Sequence, residues 1–182
     1  DASFSFFRDH HNGKADRFKV RIRKYVESNI HFLEIKHKIK GRTDKRRILT
    51  NDFNELKEEK ERDFLRRQLN EDTQLQPTMW NAFQRITLVS KTSKERLTLD
   101  FNISFHMGEI KRNFHQLVIA ELKQENLDRN SPFYRLMKKE HIRPYRLSKY
   151  CIGSVEIYGN EVLKFNRFKK KLLFLNKINH AN

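Results

Sequence analysis

Cysteine occurs once, at Cys151. No internal disulfide can form, which suits a reducing compartment and sets a cytoplasmic location as the expectation. With no signature of a nucleophile around it, Cys151 reads as a small buried residue. No apolar run approaches the roughly 18 residues of a membrane-spanning helix, and no secretory signal is legible. Five Gly and three Pro among 182 residues exclude a low-complexity or collagenous chain. Also missing are a Gly-rich phosphate loop, a dinucleotide fingerprint and the aromatic stretches of an RNA-recognition fold. No specific nucleic-acid partner is therefore expected. His10-His11 lacks a further ligand at metal spacing and reads as a surface pair.

Acidic residues are in deficit. Lys plus Arg outnumber Asp plus Glu by 39 to 23, for a formal net charge of +16. A field of that sign draws polyanions without choosing among nucleic acid, anionic lipid, nucleotides and polyphosphate. The length is that of one domain with a substantial core, so 1–182 is read as a single domain.

The basic residues are not scattered. In Arg17-Phe18-Lys19-Val20-Arg21-Ile22-Arg23 they recur at every second position, which predicts a strand with one cationic face and one apolar face. Asn12-Gly13, within Asp9 to Lys14, signals a turn before it. A second strand is expected over His31 to Ile39, with Phe32, Glu34, Lys36 and Lys38 on one face and Leu33, Ile35 and Ile39 on the other. A turn over Gly41 to Asp44 leads to a third short strand, Lys45 to Leu49. Ala82 to Ser90 and Arg96 to Asn102 form a hairpin pattern that aligns Arg85 and Thr87 on one face and Arg96, Thr98 and Asp100 on one face of the partner. Gln116 to Gln124 follows, with Ile119, Glu121 and Lys123 opposed to Val118, Ala120 and Leu122.

Three helices are expected. Asn51 to Leu69, capped by Asn51 or Asp52, carries Phe53, Leu56, Phe64 and Leu65 among charges that are most simply solvated. Gln74 to Thr78, with Pro77, is a loop. Ser131-Pro132 opens a helix to about Glu140. Glu161 to Ile178 reads as a basic amphipathic helix with Phe165, Phe168, Leu172 and Leu175 at helical spacing. Packing on the domain with lysines in water is its simpler reading, and a membrane-surface or partner helix the functional one. Phe4, Phe6 and Phe7 cluster with no upstream element to pack against, so an N-terminal piece is expected before Asp1. The element order points to α+β with a barrel-like antiparallel sheet.

Collected on the polar faces are Lys19, Arg21, Arg23, Lys36, Lys38, Arg85, Arg96 and Lys123, with Glu34, Asp100 and Glu121. Each strand alone fits a solvated sheet face. Together, on a sheet that closes, they would make a wet cavity that must bind anions, because so many like charges cannot be buried empty. Arg suits phosphate through its planar fork and Lys as a point charge. Carboxylates among them suit Mg²⁺ or Mn²⁺. Those parts serve phosphoryl transfer, which needs positioning and charge neutralisation more than a protein nucleophile.

Lys19-Val20-Arg21-Ile22-Arg23, Phe32-Leu33-Glu34-Ile35-Lys36, Arg85-Ile86-Thr87-Leu88, Arg96-Leu97-Thr98-Leu99-Asp100, Glu121-Leu122-Lys123 and Ser148-Lys149-Tyr150-Cys151 occur in the order of a VTC domain. Over Phe4 to Cys151 the chain resembles this catalytic domain of the vacuolar transporter chaperone polyphosphate polymerase, which has bacterial relatives. The family falls among the triphosphate tunnel metalloenzymes, with the CYTH proteins and RNA triphosphatases. The resemblance implies an eight-stranded antiparallel β-tunnel with helices outside, whose first strand would lie before Asp1. It implies a divalent metal, Mn²⁺ or Mg²⁺, and turnover of ATP or another triphosphate into inorganic polyphosphate. By motif, Arg21, Arg23, Lys36, Arg85 and Arg96 resemble the catalytic phosphate ligands, and Glu121 the principal metal ligand, helped by Glu34 or Asp100. Arg146 and Lys149, with Ser148 between, resemble the residues that guide the product chain; the family often has Lys where Arg146 stands. Shared residues leave polymerase, tunnel triphosphatase and a non-catalytic module for polyphosphate or inositol phosphates open, with the Ser-Lys-Tyr-Cys segment favouring the polymerase branch. A membrane-protein partner that receives the product, and the oligomeric state, are left open too.

Overall fold

The computed structural model describes residues 2–52, 56, 58–69 and 75–180. They fall into two compact units, Asp1–Thr78 and Met79–Asn182, each with its own antiparallel sheet.

The first unit runs α1 (Ser5–His11), β1 (Arg17–Tyr25), β2 (Ile30–Ile39), β3 (Arg42–Thr50) and α2 (Glu59–Leu69), with sheet order β1-β2-β3. Register pairs Val20 with Ile35, and Leu33 with both Ile22 and Ile48. One sheet face is thus apolar, and it packs on Leu65 and Leu69 of α2 together with Phe6, Leu56, Phe64 and Leu75. Removing this face from water leaves the alternate residues, the charged ones, on the other side.

Several expectations change. The β2–β3 turn is only Lys40-Gly41, both at positive φ (46° and 85°), as a two-residue hairpin turn requires, so β3 already begins at Arg42. Of the aromatic cluster at the start, Phe6 packs on the core and Phe7 is buried. The helix expected from Asn51 becomes regular only at Glu59. Asn51, one of the two expected caps, donates to the Glu58 carboxylate at 2.6 Å. The buried Glu61 carboxylate accepts from the Thr50 hydroxyl and, at 3.1 Å, from the Glu58 backbone N–H, which fixes the first turn to the end of β3. Phe53 lies outside the described residues.

The second unit runs β4 (Trp80–Val89), β5 (Glu95–Met107), β6 (Ile110–Phe114), β7 (Ile119–Gln124), α3 (Pro132–Lys139), α4 (Lys149–Val162), a 3₁₀ turn (Asn166–Phe168) and α5 (Lys169–Asn179). The long β5 has β4 along one edge. Its other edge is shared, by β7 over Glu95–Asp100 and by β6 over Ile103–Met107. The β4–β5 register shifts at Asn102, which sits at φ 51° and donates to Gln84 Oε1 at 2.6 Å. This bulge switches the buried positions from Thr98 and Asp100 to Ile103 and Phe105. The polar stretch of β5 thereby leads straight into the apolar seat of α4. Gly153 makes the close approach there, beside Met79 and the Phe105 ring.

The hairpin partner expected to end at Asn102 continues to Met107, and β6 and α4 are additions to the sequence reading. The strand expected from Gln116 starts at Ile119. The expected helix over 161–178 is divided: Glu161 and Val162 finish α4, and the regular basic helix spans Lys169–Asn179. Among the described residues the strands form antiparallel sheets of three and four strands, an α+β architecture, and no closed barrel is seen among them.

Candidate functional site

Strand alternation builds the first charged face. Register places Arg17, Lys19, Arg21 and Arg23 of β1 beside Lys38, Lys36, Glu34 and Phe32 of β2, which in turn oppose Thr43, Lys45, Arg47 and Leu49 of β3. Glu34 is the single carboxylate among these positions, and it is 0 % exposed. Arg21 donates to Glu34 Oε2 from Nε at 2.8 Å and Nη2 at 2.5 Å, while Lys45 Nζ reaches Oε1 at 2.7 Å. Burial alone would raise the Glu34 pKa, but the Lys45 hydrogen bond and the Arg21 charge outweigh it and hold the carboxyl below its ordinary value. Arg23 lies over the Tyr25 ring (4.5 Å) and Arg47 over Phe32 (4.4 Å), which fixes two further guanidiniums on the face.

In the second unit, register aligns Arg85 and Thr87 of β4 with Asp100 and Thr98 of β5, and Thr98 and Arg96 with Glu121 and Lys123 of β7. Asp100 is the buried centre, its side chain 3 % exposed. Arg85 grips it with both arms, Nε to Oδ1 at 2.5 Å and Nη2 to Oδ2 at 2.7 Å. Lys149 donates to Oδ2 from the first turn of α4. Its place is set by Ser148, the N-cap, whose hydroxyl accepts from the Cys151 N–H at 3.3 Å. Phe83 underlies both cations, 5.2 Å from Arg85 and 4.5 Å from Lys149. Burial pushes the Asp100 pKa up, yet hydrogen bonds from Arg85 and Lys149 overcome it and the net shift is downward. Lys149 is shifted down as well: desolvation exceeds the support it receives from Asp100.

The remaining candidates are less enclosed. Arg96 is exposed, and Lys19, Arg23, Lys36 and Lys38 are half-buried on their strands. Glu121 and Lys123 pair at 3.4 Å, each more than half exposed. Arg146 is exposed just ahead of α4, and its carbonyl accepts from Lys171 at 2.7 Å. Lys45, Arg47 and Phe83 join the faces although the sequence does not point to them, and Thr98 takes the face position expected of it. Lys45 and Arg47 do keep period two, but Arg42, Asp44 and Arg46 on the alternate positions mask it. The Thr98 hydroxyl is buried and has no hydrogen-bond partner among the described residues.

Both oxygens of Glu34 and of Asp100 already take cations. Glu121 is the most exposed of the three carboxylates, and one of its oxygens meets Lys123. Among the described residues no group of three His, Cys, Asp or Glu side chains gathers. This donor set fits an ion held by one carboxylate, waters and substrate phosphates, and not an all-protein cage.

The family model for the VTC domain matches residues 1–158, which include both charged faces and the Ser148-Lys149 step. No curated protein and no solved structure matches the chain.

Proposed function

The chain belongs to the VTC domain family, and from that premise we propose that it is a metal-dependent polyphosphate polymerase that moves the ATP γ-phosphate onto a growing polyphosphate chain. The family ties the protein to polyphosphate chemistry; the transfer itself is our reading. So is the assignment of its strands to an eight-stranded triphosphate tunnel. Arg21, Arg23, Lys36, Lys45 and Arg47 offer one set of phosphate contacts, and Arg85, Arg96, Lys123 and Lys149 another. Lys19 and Lys38 add to the first set, and Ser148 and Arg146 to the second.

A terminal phosphate oxygen of the polymer attacks the γ-phosphorus. A P–O–P bond forms, the β–γ bridging bond breaks, and ADP leaves. The nucleophile is already anionic, so the protein's work is alignment and charge neutralisation. A divalent ion held by Glu121, when bound, adds to that neutralisation. Glu34 and Asp100 contribute by holding Arg21, Lys45, Arg85 and Lys149 in place.

The observation that carries the reading is the Arg21–Glu34–Lys45 cluster on a face where Glu34 is the single carboxylate among many cations. Incubation with ATP and Mn²⁺, followed by a gel that resolves polyphosphate, tests it. A ladder with ADP release is expected. Free phosphate without a ladder would identify a triphosphatase, and bound polyphosphate without turnover a binding module. Glu121→Ala should abolish metal-dependent turnover while leaving polyphosphate binding in EDTA within about threefold of the parent; unchanged turnover would remove the metal role of Glu121.

A further inference from the structure

Helix α5 lies beyond the residues that match the family, and its surface calls for a separate explanation. Its inner face is settled: Phe168, Leu172 and Leu175 are buried, and Asn179 bonds to the Gln116 N–H and the Asn113 carbonyl. Lys171 ties to the Arg146 carbonyl. Two large apolar residues nevertheless point outward, Leu173 at 62 % and Phe174 at 48 % exposure.

Their neighbours are lysines. At helical spacing Leu173 has Lys169, Lys170 and Lys177 around it, and Phe174 has Lys170, Lys171 and Lys177. Phe174 also meets the Tyr145 ring at 5.3 Å, and exposed Tyr145 sits between the exposed Arg143, Pro144 and Arg146. From Val162 to His180 there are six Lys and Arg (164, 167, 169, 170, 171 and 177) and no Asp or Glu.

We infer that α5 and the Tyr145 segment form a peripheral membrane-docking surface that recognises anionic lipid headgroups. Lysines would engage the headgroup charge while Leu173, Phe174 and Tyr145 enter the interface, where amphipathic side chains gain most. With 11 residues α5 lies on a bilayer and cannot cross it. The outward aliphatic and aromatic pair favours lipid over nucleic acid, since phosphates would reward the lysines and leave Leu173 in water. This inference stands apart from the proposed transferase activity.

Flotation of the full chain with vesicles of phosphatidylcholine, with and without one-quarter phosphatidylserine, tests it at physiological salt. Binding should require phosphatidylserine. Leu173→Ser/Phe174→Ser, which keeps the charge, should weaken it about tenfold or more. Lys169→Gln/Lys170→Gln should weaken it by a similar factor. Lys91→Gln/Lys111→Gln, the same charge loss at exposed sites on the β4–β5 turn and β6, should change it less than about threefold. Melting curves check that the variants fold. No binding to phosphatidylserine vesicles would overturn the inference. So would equal losses from the two lysine pairs, or full binding by Leu173→Ser/Phe174→Ser, either of which would indicate diffuse adhesion of a cationic protein. Loss of single-stranded RNA binding in the serine variant with vesicle binding intact would reassign the surface to nucleic acid.

Discussion

Asp100→Asn removes one charge and little volume, and it strikes the point where β4, β5 and α4 meet. The side chain is nearly sealed, but its partners are not: Arg85 and Lys149 keep 28 % and 20 % of their side-chain surface exposed. Breaking a fully buried pair costs about 3–5 kcal/mol, most of it from the charge left behind. Here water can reclaim part of each cation, while the Asn amide would present donors to donors. We therefore expect a loss of about 2–3 kcal/mol, which lowers the melting temperature by about 4–12 °C for a chain of this size. Paired thermal and urea melts at neutral pH would measure it. The pH dependence has a definite sign. The folded-state pKa of Asp100 lies below its unfolded value, so its stabilisation is complete above the unfolded value and disappears as pH falls through the folded one. The gap between parent and variant should close only beneath the ordinary carboxylate range. A difference under about 0.5 kcal/mol at neutral pH, or one that persists undiminished in strong acid, would refute the ion-pair account.

Gly153→Ala would drive a methyl into Met79 Sδ and the Phe105 ring; with Phe105 fully buried, a loss of about 1–3 kcal/mol in urea melts is expected, and an unchanged midpoint would mean the helix can shift. Thr50→Ala leaves the buried Glu61 carboxylate short of a donor and should cost the first unit about 1–3 kcal/mol, read as faster amide exchange along α2. Arg21→Ala should weaken inorganic tripolyphosphate binding about tenfold in calorimetry, while Lys91→Ala changes it less than about threefold. Equal effects would indicate a diffuse patch in place of an ordered face.

The strands with strict alternation were the legible part of the fold, because burial of one face imposes period two on the residues themselves. Arg17 to Arg23 and His31 to Ile39 correspond closely to β1 and β2, including which side chains share a face. β6 is not legible in Ile110-Lys111-Arg112-Asn113-Phe114, which is short and mostly polar; only its pairing with the end of β5 makes it a strand. α4 was hidden by Gly153 and Gly159, which weaken a helical reading although Gly153 is required for close packing. The late start of α2 depends on Thr50 and Glu61, 11 residues apart, whose pairing exists only after folding. For the site, sequence could list the charges and could not distinguish Glu34 and Asp100, locked among cations, from the exposed Glu121.

That distinction bears on how each face would act on phosphate. In both sheets a buried carboxylate receives a guanidinium from a neighbouring strand and an ammonium from a third element: Arg21 and Lys45 on Glu34, Arg85 and Lys149 on Asp100. A cation tethered in this way keeps a fixed position, and a phosphate that meets it need not pay for ordering a long side chain. The tether also offsets part of the repulsion among crowded Lys and Arg, which otherwise would splay the face. The carboxylates should therefore affect geometry more than charge. Glu34→Gln would raise the net charge yet is expected to bind tripolyphosphate no more tightly than the parent, because Arg21 and Lys45 lose their common anchor. Isothermal calorimetry at two salt concentrations separates the possibilities. Tighter binding with a steeper salt dependence would show that charge alone governs the face and would remove the positioning role assigned to Glu34.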